Sequence, residues 1–160
     1  MKWITRERPK IDRIACPWLI ARFIDPAPEF LFVAPDRVMA EAAAQGATPF
    51  DVPGVAYTHV GDDCSFDTFV KKHCANDPAL RDLAVIVRGA DTDRLDLAPQ
   101  CAGLLAVSLG LSRNFPDDHA MLAHGMVVYD ALYAWCRHAR GEVHAWNYPA
   151  VPAEPAARQG

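Results

Sequence analysis

Apolar and polar positions along this chain follow two different rhythms, and the change comes near its middle. Trp3 to Arg8 alternates as a short strand does and is closed by Pro9. Cys16-Pro17 then predicts a helix start, with Cys16 as N-cap and Pro17 at the first helical position, where its missing N–H has no partner to lose. Cys16, Leu19, Ile20 and Phe23 fall on one side at helical spacing, and Asp25-Pro26 ends the run. Glu29 to Ala34 is a compact apolar stretch between prolines, the pattern of a buried strand. Asp36 opens a helix through Gln45, with Val38, Met39, Ala42 and Ala43 inward and Gly46 as its stop. Phe50 to His59 reads as extended, interrupted by Pro53-Gly54, with Val55–His59 as its best strand. Asp62 or Asp63 caps a further helix whose inner stripe is Phe66, Phe69, Val70 and His73.

After Asp77-Pro78 the pattern becomes helix after helix. The first runs from Ala79 to about Ala90, with Leu80, Leu83, Ala84 and Val87 inward. The second, Pro99 to Ser112, is apolar almost all round, which predicts a central buried helix with Leu104 and Leu105 in the core. The third, Asp117 to Arg140, carries His119, Leu122, Met126, Tyr129, Tyr133 and Cys136 on one stripe. From Val143 onward, prolines and small residues predict a loose tail after a domain of residues 1–142. The fold class is therefore α/β: a small mixed layer in the N-terminal half, a helical C-terminal half, one compact domain.

Composition narrows the function classes. At 160 residues, 51% apolar and 22% charged, the chain has enough material for one core. Its net charge of −4 argues against a general nucleic-acid or anionic-membrane surface. No apolar run approaches the roughly 20 residues of a membrane span. The five cysteines (16, 64, 74, 101 and 136) are scattered, with no C-x-x-C pair. That spacing suits a reducing compartment, and a cytoplasmic location is the expectation.

Four motifs stand out: Asp12-Arg13-Ile14-Ala15-Cys16-Pro17-Trp18, Cys64-Ser65-Phe66-Asp67, Arg88-Gly89-Ala90-Asp91-Thr92-Asp93-Arg94 and Asp117-Asp118-His119-Ala120-Met121-Leu122. Together they resemble the chromate-resistance domain that forms the C-terminal half of ChrB-type regulators and also occurs alone or beside a rhodanese-like domain. The resemblance runs from about Arg6 to Arg137. It implies one compact α/β unit capped by helices, and a role in handling metal stress rather than direct nucleic-acid binding. It brings no set of catalytic residues with it, so the site has to be built from the side chains.

Three positions carry the metal reading. Asp91 continues the buried stripe of its helix, four residues after Val87, and a carboxylate there needs a partner. His59 closes a strand, where side chains of α/β layers converge on ligands. His119 begins an otherwise apolar helical face. Two imidazoles and one carboxylate suit Zn²⁺, Fe²⁺ or Mn²⁺. Arg88 and Arg94 are the candidate binding residues for an anion beside the metal, or salt-bridge partners for Asp91 that would leave both histidines on backbone carbonyls. Cys16 with Arg13 is a second candidate, because a thiol at a helix N-terminus near a guanidinium is held as thiolate and can act as nucleophile or redox centre. Three functions therefore stand side by side: binding or chemical handling of a metal ion or small metal oxyanion, a thiol enzyme, and a sensing or interaction module without chemistry.

Overall fold

A computed structural model describes residues 1–144. Beyond residue 144 the expected tail lies outside the described residues. Three strands, β1 (Lys2–Arg6), β2 (Glu29–Val33) and β3 (Thr48–Pro49), form a parallel sheet in the order β2-β1-β3. β1 lies in the middle, with Trp3 opposite Phe30 on one side and opposite Thr48 on the other. Period-two alternation sends its side chains to opposite faces. Trp3 joins the main core with Phe30, while Ile4 packs with Val38, Ala42, Ala47 and Val52 in a smaller cluster. Helix α1 (Asp12–Leu19), continued by a wider turn over Ile20–Ile24, covers the first face. Helix α2 (Val38–Gln45) covers the second and ends at Gly46, whose φ of 62° is the left-handed stop its position demands.

The segment Val55–His59 is not a strand. Asp51 (φ 52°) and Gly54 (φ 81°) turn the backbone away from the sheet. The segment lies against helix α3 (Ser65–His73), with Tyr57 stacked on Phe69 at 4.2 Å. Its carbonyls go to local partners: Tyr57 O accepts the Asp51 N–H and Thr58 O accepts the Thr68 hydroxyl. His73, expected inward, is exposed and meets the Tyr57 hydroxyl at 2.9 Å. The N-cap of α3 is Cys64, in a reciprocal box with Asp67, rather than Asp62 or Asp63.

Helix α4 (Pro78–Asp91) follows its predicted course, capped by Asp77, whose carboxylate accepts the N–H groups of Ala79 and Leu80. Helix α5 (Cys101–Asn114) departs from expectation: it is not central. Its inner face presents Cys101, Leu104, Ser108 and Ser112, Leu105 is only partly buried, and Val107 and Leu109 face outward. The inward serines have a mechanical reason. The chain between β1 and α1 carries two residues in left-handed backbone, Arg8 (φ 53°) and Ile11 (φ 35°), the latter a strained conformation for a β-branched side chain. Ser108 Oγ accepts the Ile11 N–H at 2.9 Å. The hydroxyl of Tyr129, on helix α6 (Asp118–Ala134), donates to Ile11 O at 2.9 Å. Arg8 donates to the carbonyls of Ser112, Phe115 and Pro116 at the end of α5, and its N–H reaches Asp118. The helical half thus holds a strained turn in place.

Helix α6 also sits differently from its predicted stripe. Met121, Leu122, Gly125 and Tyr129 are its buried residues. A Cβ at Gly125 would stand 2.5 Å from Ile14, so the crossing of α1 and α6 depends on that glycine. Asp130 receives Trp18 Nε1 and both ends of the Arg22 guanidinium, tying α6 to α1.

A typical intramolecular hydrogen bond contributes about 0.5–1.5 kcal/mol net. Tyr129→Phe removes one donor from Ile11 O, which keeps the N–H groups of Ile14 and Ala15, and is expected to lower unfolding stability within that range in urea titration. A midpoint equal to wild type would show that the turn at Ile11 needs no clamp.

Candidate functional site

The parallel strands β1 and β3 end at the same edge of the sheet, and the strand order reverses at β1. Such an edge is where α/β sheets gather ligand-binding side chains. Asp51 follows β3 by two residues, and Asp12 opens α1 just after β1. Asp91, the last residue of α4, and His59, from the loop before α3, close the group. His59 Nε2 lies 3.3 Å from Asp91 Oδ2, 3.4 Å from Asp51 Oδ1 and 3.5 Å from Asp12 Oδ2. One imidazole therefore faces three carboxylates from three separate elements. Asp12, His59 and Asp91 each offer one ligand atom, all within 4.8 Å of one another.

Each carboxylate is held differently. Asp12 is buried, and it accepts the N–H groups of Ser65 (2.7 Å) and Phe66 (3.0 Å), the first two amides of α3. Those amides have no partner within the helix, and they form its positive end. Asp51 accepts the Ser65 hydroxyl at 2.8 Å through Oδ1 and Arg6 at 2.7 Å through Oδ2, with Arg13 Nε 3.4 Å from the latter. Asp91 has His59 as its ion-pair partner.

Crowding of like charge shows in the proton affinities. Burial, then the charges of Asp12 and Asp51, pushes the Asp91 carboxyl up to about 7. Burial and Asp12 likewise raise Asp51. His59 moves up to about 9, first through its contact with Asp12, against the opposing effect of burial, with Asp91 and Asp51 adding to the rise.

Of the residues expected to bind metal, His59 and Asp91 come together and His119 does not. His119 is exposed on the first turn of α6 and packs edge-on against Phe32 with ring centroids 5.3 Å apart. The stripe that predicted its inward position is displaced, because Met121 and Gly125 face the core instead. Asp12 takes its place in the cluster. Arg88 pairs with Asp63 (3.2 Å) and Asp67 (2.9 Å) rather than with Asp91. Arg94 is exposed and turns toward Asp96 at 3.8 Å.

The expectation for Cys16 is overturned in its placement. α1 begins at Asp12, so Cys16 stands in the second turn, fully buried, and Pro17 lies inside the helix. Its Sγ points at Asp12 Oδ1, 3.7 Å away. Burial, followed by the negative charge of Asp12, pushes this thiol well up instead of down. Arg13 does not offset this: its guanidinium is directed to Asp51 and to the carbonyls of Arg6 and Glu7.

Asp12, Asp51 and Ser65 were missed from the sequence as site residues. Asp12 and Ser65 lie in two of the motifs that carry the family resemblance, and Asp51 follows an apolar run at a Pro-Gly turn. Backbone strain marks the same places. Among the described residues, three of the four non-glycine residues with positive φ are Ile11, Asp51 and Asp93, each at or within two residues of a clustered carboxylate. Strained backbone persists where the surroundings over-determine it, and such positions gather at functional sites.

The fold and site together define an α/β domain with a carboxylate–imidazole cluster at the carboxyl edge of a parallel sheet. Residues 3–136 match the family described as ChrB, C-terminal domain. The chain is 34% identical over 133 residues to Protein ChrB of Cupriavidus metallidurans, a match covering 82% of this chain and 40% of that protein. The chain therefore belongs to the ChrB C-terminal domain family, the chromate-resistance family its motifs resemble. No solved structure matches it significantly. Among the described residues no helix is long and apolar enough to cross a membrane.

Two outcomes follow for the metal-free protein. The folded state holds protons on Asp91 up to about 7, against an ordinary 3.8, and on His59 up to about 9, against an ordinary 6.5. A folded state that binds more protons than the unfolded one loses stability as pH rises. The Asp91 share goes between about 4 and 7, and the His59 share between about 6.5 and 9. With Asp12, Asp51 and Arg13 facing the pair, urea midpoints are expected to be lower at pH 9 than at pH 6, and a rise over that range would contradict the assignment. Separately, Cys16 should resist iodoacetamide in the native state and react only on unfolding; rapid native labelling would mean that the thiol is neither buried nor raised.

Proposed function

We propose that this domain holds a divalent cation between Asp12, His59 and Asp91, and that the cation presents an open position to a small oxyanion. The observation that carries the reading is the convergence of these three side chains, each with one donor atom within 4.8 Å of the others. A cation entering there would displace the proton that His59 shares with three carboxylates and would neutralise their mutual repulsion. One imidazole and two carboxylates leave coordination positions free, and they suit Mn²⁺ or Fe²⁺ as well as Zn²⁺. Arg13, beside Asp51 and within electrostatic reach of Asp91, supplies a positive group to draw an anion toward an open position. Membership of a chromate-resistance family makes chromate the first oxyanion to offer. The thiol reading gains no support from a buried Cys16 whose proton is held more tightly than usual.

The test is cation uptake by the metal-stripped protein, with Mn²⁺, Fe²⁺ and Zn²⁺ offered in turn and occupancy measured by elemental analysis. Wild type is expected to take up about one equivalent of at least one of them. Asp91→Asn and His59→Ala should lose it, and His119→Ala, outside the cluster, should keep it. No uptake by wild type, or unchanged occupancy in Asp91→Asn, would defeat the proposal.

A further inference from the structure

Ser65 is fully buried at the first position of α3 and touches two of the site's carboxylates at once. Its backbone N–H donates to Asp12 Oδ2 at 2.7 Å, and its hydroxyl donates to Asp51 Oδ1 at 2.8 Å. These are the same two oxygens that face His59 Nε2, at 3.5 and 3.4 Å. Two carboxylates repel one another, and a donor shared between them lets both turn the same way.

The remaining bonds divide the labour. Asp12 has a second anchor, the Phe66 N–H on Oδ1. Asp51 has its other anchors, Arg6 and Arg13, on Oδ2 alone. No other hydrogen-bond donor besides His59 is seen within reach of Asp51 Oδ1 among the described residues, so its direction depends on the Ser65 hydroxyl.

We propose that Ser65 is a positioning residue: through its hydroxyl it aims Asp51 at His59 and so sets the outer shell of the cation site. This inference rests on the cation reading above. Asp51 stands next to the nitrogen of His59 that faces the cation site, where it accepts from a cation-bound water, and Ser65 acts only through it. Partners of this kind around metal ligands are worth roughly ten- to a hundredfold in metal affinity.

The experiment is isothermal titration of the metal-stripped full chain with Mn²⁺ and with Zn²⁺, run on wild type, Ser65→Ala, Asp51→Ala and the double variant, with urea midpoints measured in parallel. Ser65→Ala leaves the backbone bond to Asp12 in place and removes only the hydroxyl. It is expected to bind roughly ten- to a hundredfold more weakly than wild type. In the Asp51→Ala background the same substitution should change affinity by less than about twofold, because nothing is left to aim. Ser65→Thr, which keeps the hydroxyl, should restore most of the loss and covers the case in which Ser65→Ala does not fold. Wild-type affinity in Ser65→Ala overturns the inference, as does an equal loss with and without Asp51, or a drop in the urea midpoint with affinity unchanged. A wild-type protein that takes up neither ion overturns the cation reading itself.

Discussion

The buried carboxylate of Asp12 on the first two amides of α3 is the interaction on which this molecule depends. It joins the helix after β1 to a helix 53 residues further on, and it does so with a charge. A buried carboxylate without donors is expelled or protonated, while one given two N–H groups at the positive end of a helix is tolerated. Each end of the contact needs the other. The amides of α3 would otherwise lack partners, since the cap at Cys64 serves the Asp67 side of the turn. The main core then packs around this polar joint, with Phe66, Phe69, Ile14 and Trp18 fully or almost fully buried about it.

Aiming Asp12 at α3 has a steric consequence upstream. To place it, the chain leaves β1 through Arg8 and Ile11 in left-handed backbone, which a β-branched residue adopts only under constraint. Ser108, Tyr129 and the carbonyls that receive Arg8 supply that constraint. This accounts for the composition of α5, whose inward face carries serines while valine and leucine remain outside. A helix selected only for core packing would be arranged the other way round. Helices α5 and α6 are thus coupled to the site mechanically, without a side chain in it.

What could be read from the sequence divides along the same line. The periodic elements β1, β2, α2, α4 and α6 were legible, because local spacing and caps such as Asp77, Asp117 and Gly46 decide them. The start of α1 was not, since Cys16-Pro17 offers a plausible cap and the true start is enforced by contacts from α3, α5 and α6. Val55–His59 alternates like a strand, yet stacking of Tyr57 on Phe69 outweighs that propensity. In the site, His59 and Asp91 were visible as polar groups at element ends. His119 looked equivalent, and only the rotation of α6 about its axis, set by the close crossing at Gly125, sends it to the surface. Asp12 and Asp51 were hidden because their partners are distant in sequence and neither interrupts an apolar stripe.

Stability alone does not explain a cluster of this kind. Three carboxylates share one imidazole, and two of them hold protons more tightly than free aspartates do. Replacing such a group by well-packed apolar residues is often neutral or stabilising. The surrounding backbone adds strain at Ile11, Asp51 and Asp93, where an unconstrained chain would relax. A fold that keeps both the repulsion and the strain at one edge of its sheet holds a preorganised arrangement of negative oxygen atoms. A compact positive charge is the species that gains most from it, because it meets oxygens already desolvated and already aimed. The imidazolium of His59 meets that need in part, reaching all three carboxylates at 3.3–3.5 Å, beyond the distances of strong charge-assisted hydrogen bonds. A metal ion, which draws oxygen ligands to about 2.0–2.2 Å, would meet it more completely.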